Sequence, residues 1–176
     1  MCIVVDTNTL ASVFSRNSDN HEEFEPVFTW LMEGRGKVVY GGSKYVKELK
    51  ENYLRLFVTL RSIHKAVYIS NAKVDALEAN VSQQIEHPDF DDQHLVGLLI
   101  ASGCKLVCSL DKRAYPYFKH SLFFSNTSSR PKIYRSRNNK ALLSDANIAE
   151  ICKPCISTTN AQREKLTAAQ KIFEKK

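Results

Sequence analysis

The sequence lacks the features that mark membrane and secreted proteins. Its 176 residues contain one tryptophan, and no apolar run approaches the roughly 18 residues that a membrane-spanning helix needs. The chain opens on the strand-like Cys2–Val5, without the charged and then apolar layout of a signal peptide. Its five cysteines are an odd number, which a framework of intramolecular disulfides cannot pair completely. We therefore expect a cytoplasmic protein that is not bound to a membrane.

Acidic residues are missing from one long segment of the chain. Residues 112–140 contain eight Lys and Arg and no Asp or Glu, whereas residues 1–111 carry a net charge of −4. An acid-rich body joined to a purely basic segment favours a site that binds cations and a polyanion together. A basic loop that is merely solvated is the alternative.

Apolar runs and helical periodicities alternate along the first 111 residues. The expected strands lie at residues 3–5, 37–40, 67–69 and 105–110. The expected helices lie at residues 24–31, 43 to about 64, 72–86 and 91–102. This alternation predicts an α/β fold, a Rossmann-like three-layer α/β/α arrangement around a central, mainly parallel sheet.

Beyond residue 112 the alternation is weaker. Two strands are expected there, at residues 123–124 and 132–136. A linker is expected at 152–160 and a short helix at 161–174. We expect one domain over residues 1–150, with a basic extension at about 112–140. Residues 151–176 are expected to form a C-terminal linker and a short helix.

Acidic residues follow the predicted strands or open the predicted helices on one side of the sheet. Asp6 and Asp111 come directly after apolar strands, and ligands bind at the carboxyl ends of the strands in such folds. Glu48 lies early in the helix after the second strand, and Asp91 and Asp92 open the helix before the fourth. Carboxylates that converge repel each other unless cations lie between them, and hard oxygen ligands select Mg²⁺ or Mn²⁺.

Each of these acids also has an ordinary interpretation when it is taken alone. An aspartate after a strand is usually a turn or cap residue, and Glu48 alone would be a solvated helix position. Asp91 and Asp92 alone would be an N-cap pair stabilised by the helix dipole. The recurrence of acids at matching topological positions favours a metal site over these separate roles.

Two motifs in the sequence resemble those of the PIN-domain family of metal-dependent nucleases. Residues 3–10 (IVVDTNTL) are similar to the opening motif of that family. Residues 91–95 (DDQHL) followed by 101–111 (ASGCKLVCSLD) are similar to its closing motif, and residues 45–49 (YVKEL) are similar to the segment that carries its second acid. The resemblance covers about residues 3–115.

The resemblance implies helices on both faces of the sheet and an acidic pocket that holds Mg²⁺ or Mn²⁺. The metal-binding and catalytic residues that it implies are Asp6, Glu48, Asp91 and Asp111, with Asn8 and Ser109 as accessory residues. Asp91 lies three residues before His94, which is the spacing of the family, so we expect Asp91 to be the ligand of the adjacent pair. Asp92 is a further candidate metal ligand, but we expect it to act mainly as a helix cap, and His94 to have a packing or supporting role.

The same resemblance implies hydrolysis of phosphodiester bonds that leaves a 5′-phosphate and a 3′-hydroxyl. We expect an endonuclease that acts on RNA in preference to DNA, although no residue pattern encodes a contact to a 2′-hydroxyl. A toxin, an RNA-processing enzyme and a defence effector are all compatible with that activity. The alternative is a module of the same fold that binds nucleic acid or a protein partner without cleaving.

The basic segment is the expected path for the nucleic acid. The residues predicted to contact phosphates are Lys112, Arg113, Arg130, Lys132, Arg135 and Arg137. The aromatic residues between them, Tyr115, Tyr117, Phe118 and Tyr134, could stack on bases. The helix at 161–174 could bind an antitoxin or another protein partner, and the chain could form a homo-oligomer.

The cysteines are not expected to bind a metal. Cys152 and Cys155 form one CxxC pair, and a structural zinc site needs two more ligands. Cys104 and Cys108 could supply them only if the C-terminal tail folds back to the sheet, which we do not expect. Cys2 and Cys108 lie in apolar strands and are expected to be small core residues.

Overall fold

A five-stranded, fully parallel sheet forms the centre of the protein. In the computed structural model, which describes residues 2–174, the strands are β1 (Cys2–Val5), β2 (Lys37–Gly41), β3 (Ala66–Ile69), β4 (Leu106–Cys108) and β5 (Lys132–Tyr134). Their order across the sheet is β3-β2-β1-β4-β5, and every neighbouring pair is parallel. The predicted parallel α/β fold is confirmed.

Eight α-helices accompany this sheet within residues 2–174. They are α1 (Leu10–Phe14), α2 (His21–Met32), α3 (Ser43–Glu48), α4 (Glu51–Ser62), α5 (Asn71–Gln84), α6 (Gln93–Ser102), α7 (Tyr115–Phe118) and α8 (Asn160–Glu174). Short 3-10 turns lie at Thr7–Thr9, Thr127–Ser129, Arg137–Leu142, Asp145–Asn147 and Glu150–Cys152. Helix α1 packs on α2, and α3, α5 and α6 pack together, so the helices flank the sheet as a three-layer fold requires.

The central strand β1 is completely buried. Ile3, Val4 and Val5 have no solvent exposure, as expected for a parallel strand that is covered on both faces.

No helix in the described part of the chain combines the length and the hydrophobicity that a membrane span requires.

The single long helix predicted after the second strand is wrong, because the structure has two helices there. Leu49 and Lys50 adopt extended backbone angles between α3 and α4, with ψ values of 112° and 153°. Helix α3 is fixed by buried Tyr45, whose hydroxyl donates to the carbonyl oxygen of Val5 at the end of β1. The apolar spacing continues across the break, so it could not reveal that α3 and α4 dock separately. Glu48 consequently lies at the end of a short helix.

The strand predicted at Phe123 and Phe124 is also wrong. The amides of both residues donate to the carbonyl oxygen of His120, at 3.1 and 3.0 Å, and this closes a turn. Phe124 is nevertheless buried, because it packs on the core from that turn. The fifth strand forms further along and is shorter than predicted, ending at Tyr134.

The C-terminal tail lies against the domain. Residues 153–159 contain no helix or strand, as expected of a linker, but the Thr158 hydroxyl donates to the Met32 carbonyl oxygen at 2.6 Å. Helix α8 packs on α4, with Leu166 buried and the rings of Tyr53 and Phe173 stacked 4.8 Å apart. The apolar face of α8 is therefore used within the chain.

Gly97 allows α5 and α6 to approach each other closely. A Cβ atom at Gly97 would lie 2.9 Å from the Glu78 amide nitrogen and 3.1 Å from the Val74 carbonyl oxygen, both backbone atoms of α5. We expect Gly97→Ala to lower the free energy of unfolding by about 1–3 kcal/mol in urea denaturation, although alanine is the better helix former. Gly103→Asn is the control, because Gly103 ends α6 at φ 64° with open space around it, and asparagine tolerates that conformation. Equal losses in the two variants would contradict the close approach.

Candidate metal centre

Parallel pairing of β1 with β4 brings two predicted acids to one edge of the sheet. Val5 pairs with Cys108, and the Asp6 amide extends the ladder by donating to the Cys108 carbonyl oxygen at 2.9 Å. Asp6 is only 2% exposed at this position. Asp111 follows β4 by three residues, with its side chain 15% exposed.

Ser109 connects Asp6 to Asp111. Its buried hydroxyl donates to Oδ2 of Asp6 at 2.7 Å and accepts from the backbone amide of Asp111 at 3.1 Å. The other Asp6 oxygen accepts from the Asn8 amide at 3.2 Å. Burial raises the pKa of Asp6, and these hydrogen bonds oppose that rise. Ser109 thus orients the side chain of Asp6 and the backbone of Asp111, which fits an accessory role.

Three aspartates converge next to this pair of strands. Asp91, Asp92 and Asp111 each present a carboxylate oxygen within 4.8 Å of the other two. The first two reach this position from the loop before α6, and the third from the loop after β4. An all-oxygen donor set with this spacing suits a hard divalent cation, so the residues present fit Mg²⁺ or Mn²⁺.

Asp92 differs from the helix cap that the sequence predicted. It is the N-cap residue of α6, but its side chain makes no capping hydrogen bond, so this part of the prediction is wrong. Burial raises its pKa to about 7, and the nearby charges of Asp6, Asp91 and Asp111 add to the rise. Asp91 is exposed instead, and its carbonyl oxygen accepts from Lys44 Nζ at 2.7 Å. The geometry favours Asp92 as the deeper carboxylate of the pair.

Glu48 lies to one side of the three aspartates. Its Oε2 accepts from the Thr7 hydroxyl at 2.8 Å and lies 3.4 Å from Nε2 of His94. Its side chain is 34% exposed, so it remains open to solvent. Asn8, the other predicted accessory residue, is exposed, and its side-chain oxygen accepts from the Thr9 hydroxyl at 2.7 Å.

His94 is the buried residue beside Glu48. It is 2% exposed, and neither ring nitrogen has a hydrogen-bond partner within residues 2–174. Burial lowers its pKa to about 4, against the attraction of the Glu48 carboxylate. The imidazole is therefore neutral at neutral pH, which is compatible with the packing or supporting role predicted for it.

Two predicted phosphate-binding arginines form ion pairs within the protein. Arg113 reaches back to Asp111, with Nη2 2.8 Å from Oδ2 and Nε 3.2 Å from Oδ1, and this lowers the pKa of Asp111. Arg137 pairs with Glu22 and Glu25 of α2. No pattern in the sequence links Arg137 to acids more than 100 positions away.

The other predicted nucleic-acid contacts differ in how exposed they are. Within residues 2–174 the exposed side chains of Lys112, Lys132 and Arg135 form no ion pair, and half-buried Arg130 donates to the Phe124 carbonyl oxygen at 3.3 Å. Phe118 and Tyr134 have no exposed surface, so their predicted stacking on bases is wrong. Half-buried Tyr115 and Tyr117 remain candidates, although the Tyr117 ring already stacks on Phe90 at 4.0 Å.

The raised pKa of Asp92 predicts a pH-dependent stability in the absence of metal. Between about pH 4 and pH 7 the unfolded chain loses this proton while the folded protein retains it, so the free energy of unfolding falls as the pH rises. We expect urea denaturation in a chelator to show a fall on the order of 2 kcal/mol across this window, and Asp92→Asn to reduce it. Asp89→Asn, an exposed acid of the same loop, is the control and should keep the full fall. A pH profile identical in Asp92→Asn and the parent protein would contradict the burial of this carboxylate.

The first two thirds of the chain match a known protein family. A family model described as a PIN domain matches residues 2–113, which include Asp6, Glu48, the Asp91–Asp92 pair and Asp111. The match ends at the start of the basic segment. Comparison with curated proteins finds no match, and comparison with solved structures finds none either. The chain belongs to the PIN-domain family, whose members are in general nucleases.

Proposed function

We propose that the protein is a metal-dependent endonuclease that hydrolyses phosphodiester bonds, in RNA in preference to DNA. The observation that carries the proposal is the convergence of Asp91, Asp92 and Asp111 within 4.8 Å, beside buried Asp6. Carboxylates that converge repel each other, and a divalent cation bound between them would offset that repulsion.

The acids would divide into those that hold the metal and those at the exposed side of the site. Mg²⁺ or Mn²⁺ held by Asp92 and Asp111 of this group, with buried Asp6 beside them, would supply an activated water and neutralise charge on the leaving oxygen. Ser109 holds the Asp6 carboxylate in place, and Glu48 and Asp91 lie at the open side, where a phosphate could approach. Arg113 neutralises Asp111 in this structure, so a cation would replace part of that ion pair.

Substitution of the acids tests the proposal. Asp6→Asn, Asp92→Asn and Asp111→Asn should each reduce cleavage by more than the roughly 10–100-fold that loss of an outer-shell partner costs, whereas Asp91→Asn should lose less. The assay incubates labelled single-stranded RNA, single-stranded DNA and duplex DNA with Mn²⁺, Mg²⁺ or chelator. Circular dichroism checks that each variant is folded, and Asp89→Asn is the matched control.

Several outcomes of that assay would overturn parts of the proposal. If Asp6→Asn and Asp111→Asn cleave as fast as the parent, the metal centre is wrongly assigned. A greater loss in Asp91→Asn than in Asp92→Asn would restore the ligand expected from the sequence. Faster cleavage of DNA than of RNA would reverse the substrate preference.

A second candidate function is a binding module that does not cleave. The observation that favours it is the two-point ion pair between Arg113 and Asp111, which already balances one acid without any metal. Such a module would bind nucleic acid equally well with Mn²⁺ and with chelator and would release no product. The complete set of acids favours the nuclease.

The substrate path is proposed to follow the unpaired part of the basic segment. Joint substitution of Lys112, Lys132 and Arg135 by alanine should weaken binding of single-stranded nucleic acid, because contacts to phosphates are lost. It should also flatten the dependence of log affinity on log salt concentration, by about 0.7 in slope for each lost contact. Cleavage at saturating substrate should change less than binding. Arg137→Ala is the control, since Glu22 and Glu25 already balance that charge. Parental affinity and salt slope in the triple variant would contradict this path and leave the Lys44, Lys47 and Lys50 side of the molecule as the next candidate.

The biological role proposed for this activity is that of a toxin, an RNA-processing enzyme or a defence effector. An antitoxin or another protein partner could bind the C-terminal helix, and the chain could form a homo-oligomer. Because α8 packs on α4 and its Leu166 is buried, a partner that binds this helix would use its exposed polar face.

A further inference from the structure

A cavity of about 450 Å³ opens beside the candidate metal centre. Two segments line it: the turn after β1 with the start of α1, and the end of α3 with the start of α4. The first segment directly follows Asp6, and the second contains Glu48, so the cavity is continuous with the candidate site. The lining side chains that bear on its chemistry are Thr7, Asn8, Leu10, Glu48, Lys50 and Tyr53.

Part of this cavity is apolar and aromatic. Leu10 is 1% exposed, and Tyr53 is half-buried. The ring of Tyr53 stacks on Phe173 of α8, with the centroids 4.8 Å and the planes 28° apart, so the last helix supports this ring where it borders the cavity. An aromatic ring held in this way beside an aliphatic side chain offers a surface on which a planar ring system can stack.

Lys50 supplies positive charge to the lining of the cavity. Its side chain is exposed and forms no ion pair within residues 2–174, whereas the next residue, Glu51, pairs with Arg55. The polar groups on the opposite wall are already engaged, because the Thr7 hydroxyl donates to Glu48 and the Asn8 side-chain oxygen accepts from Thr9. The cavity therefore suits a ligand that combines a flat ring with a neighbouring negative charge.

We propose that this cavity binds the nucleobase of a nucleotide next to the scissile phosphate, with Tyr53 as the stacking surface and Lys50 at the flanking phosphate. The proposal rests on the nucleic-acid substrate of the proposed function and adds a contact on the Glu48 side of the metal centre. The volume lies within the range of about 300–1,000 Å³ that is usual for small-molecule pockets. An aromatic side chain of a protein partner is the competing occupant, but it would bring no anion to Lys50.

This occupant implies a preference for single-stranded substrates. A base within a duplex is paired and stacked, so it would have to be flipped out before it could enter the cavity. Stacking on an aromatic ring tolerates every base, because each has a π face. The cavity should therefore distinguish single strands from duplexes more strongly than one base from another.

Comparison of a base-bearing with an abasic oligomer tests the cavity without requiring cleavage. Labelled single-stranded RNA and a ribose-phosphate oligomer of the same length without bases are titrated with the full chain in a chelator, and fluorescence anisotropy gives the two Kd values. Tyr53→Leu, which keeps an apolar side chain against Phe173, should reduce the preference for the base-bearing oligomer on the order of tenfold. Tyr53→Phe is the matched control and should keep the preference, because the ring remains.

A lysine variant tests the phosphate contact separately. Lys50→Ala should weaken binding of both oligomers alike and flatten the dependence of log affinity on log salt concentration by about 0.7, so that the ratio of the two Kd values is unchanged. Lys47→Ala is the control, an exposed lysine of α3 that does not line the cavity, and should change the slope less.

Measurements on the unchanged protein keep the proposal falsifiable if a variant fails to fold. Equal affinity of the parent for the two oligomers overturns the proposal and leaves the cavity to a protein side chain. An unchanged preference in folded Tyr53→Leu also overturns it. Cleavage is measured separately with Mn²⁺, so a protein that prefers the base-bearing oligomer in chelator but releases no product would contradict the nuclease and support this cavity.

Discussion

The parallel pairing of β1 with β4 is the constraint on which both ends of the molecule depend. Val4 pairs with Val107 and Val5 with Cys108, and β1 itself, which lies between β2 and β4, is completely buried. Side chains alternate along a strand, so a register shift by one residue would turn the Asp6 side chain to the other face of the sheet and carry it away from Asp111. The same register brings Cys2 to Cys104 at the opposite edge. A single hydrophobic pairing thus positions the candidate metal-binding acids at one end and two buried thiols at the other.

Electrostatic repulsion at the acidic edge is offset by neighbours that the fold supplies. Ser109 and the Asn8 amide hydrogen-bond to Asp6, Arg113 balances Asp111, and Lys44 lies near the Asp91–Asp92 pair. The side chain of Asp92 makes no capping hydrogen bond, and Lys44 offsets only part of the effect of burial and like charges, which raise the pKa of Asp92 to about 7. The residual repulsion favours binding of a divalent cation, because the cation replaces the missing positive charge.

The C-terminal tail packs against α2 and α4. From Cys155 it passes Met32, where Thr158 is hydrogen-bonded, and continues as α8 along α4. Helix α4 begins three residues after Glu48, and the Tyr53 ring of α4 stacks on Phe173 of α8. The packing of α8 on α4 therefore places the end of the tail against the helix next to the candidate site.

Much of the fold and part of the candidate site could be predicted from the sequence because they depend on local patterns. Alternating apolar runs and amphipathic helical periods indicate a parallel sheet. A parallel sheet places the residues that follow each strand at one edge, so the sequence alone predicts that Asp6 and Asp111 lie there together. Only the tertiary structure decided which of Asp91 and Asp92 lies deeper, where the helix after β2 breaks, and that Arg137 pairs with α2. It also decided that the tail returns to α2, where Thr158 hydrogen-bonds with Met32, a contact between residues 126 positions apart in the chain. The physical reason is that burial, charge pairing and sulfur contacts depend on distances between remote segments, which hydrophobic periodicity does not encode.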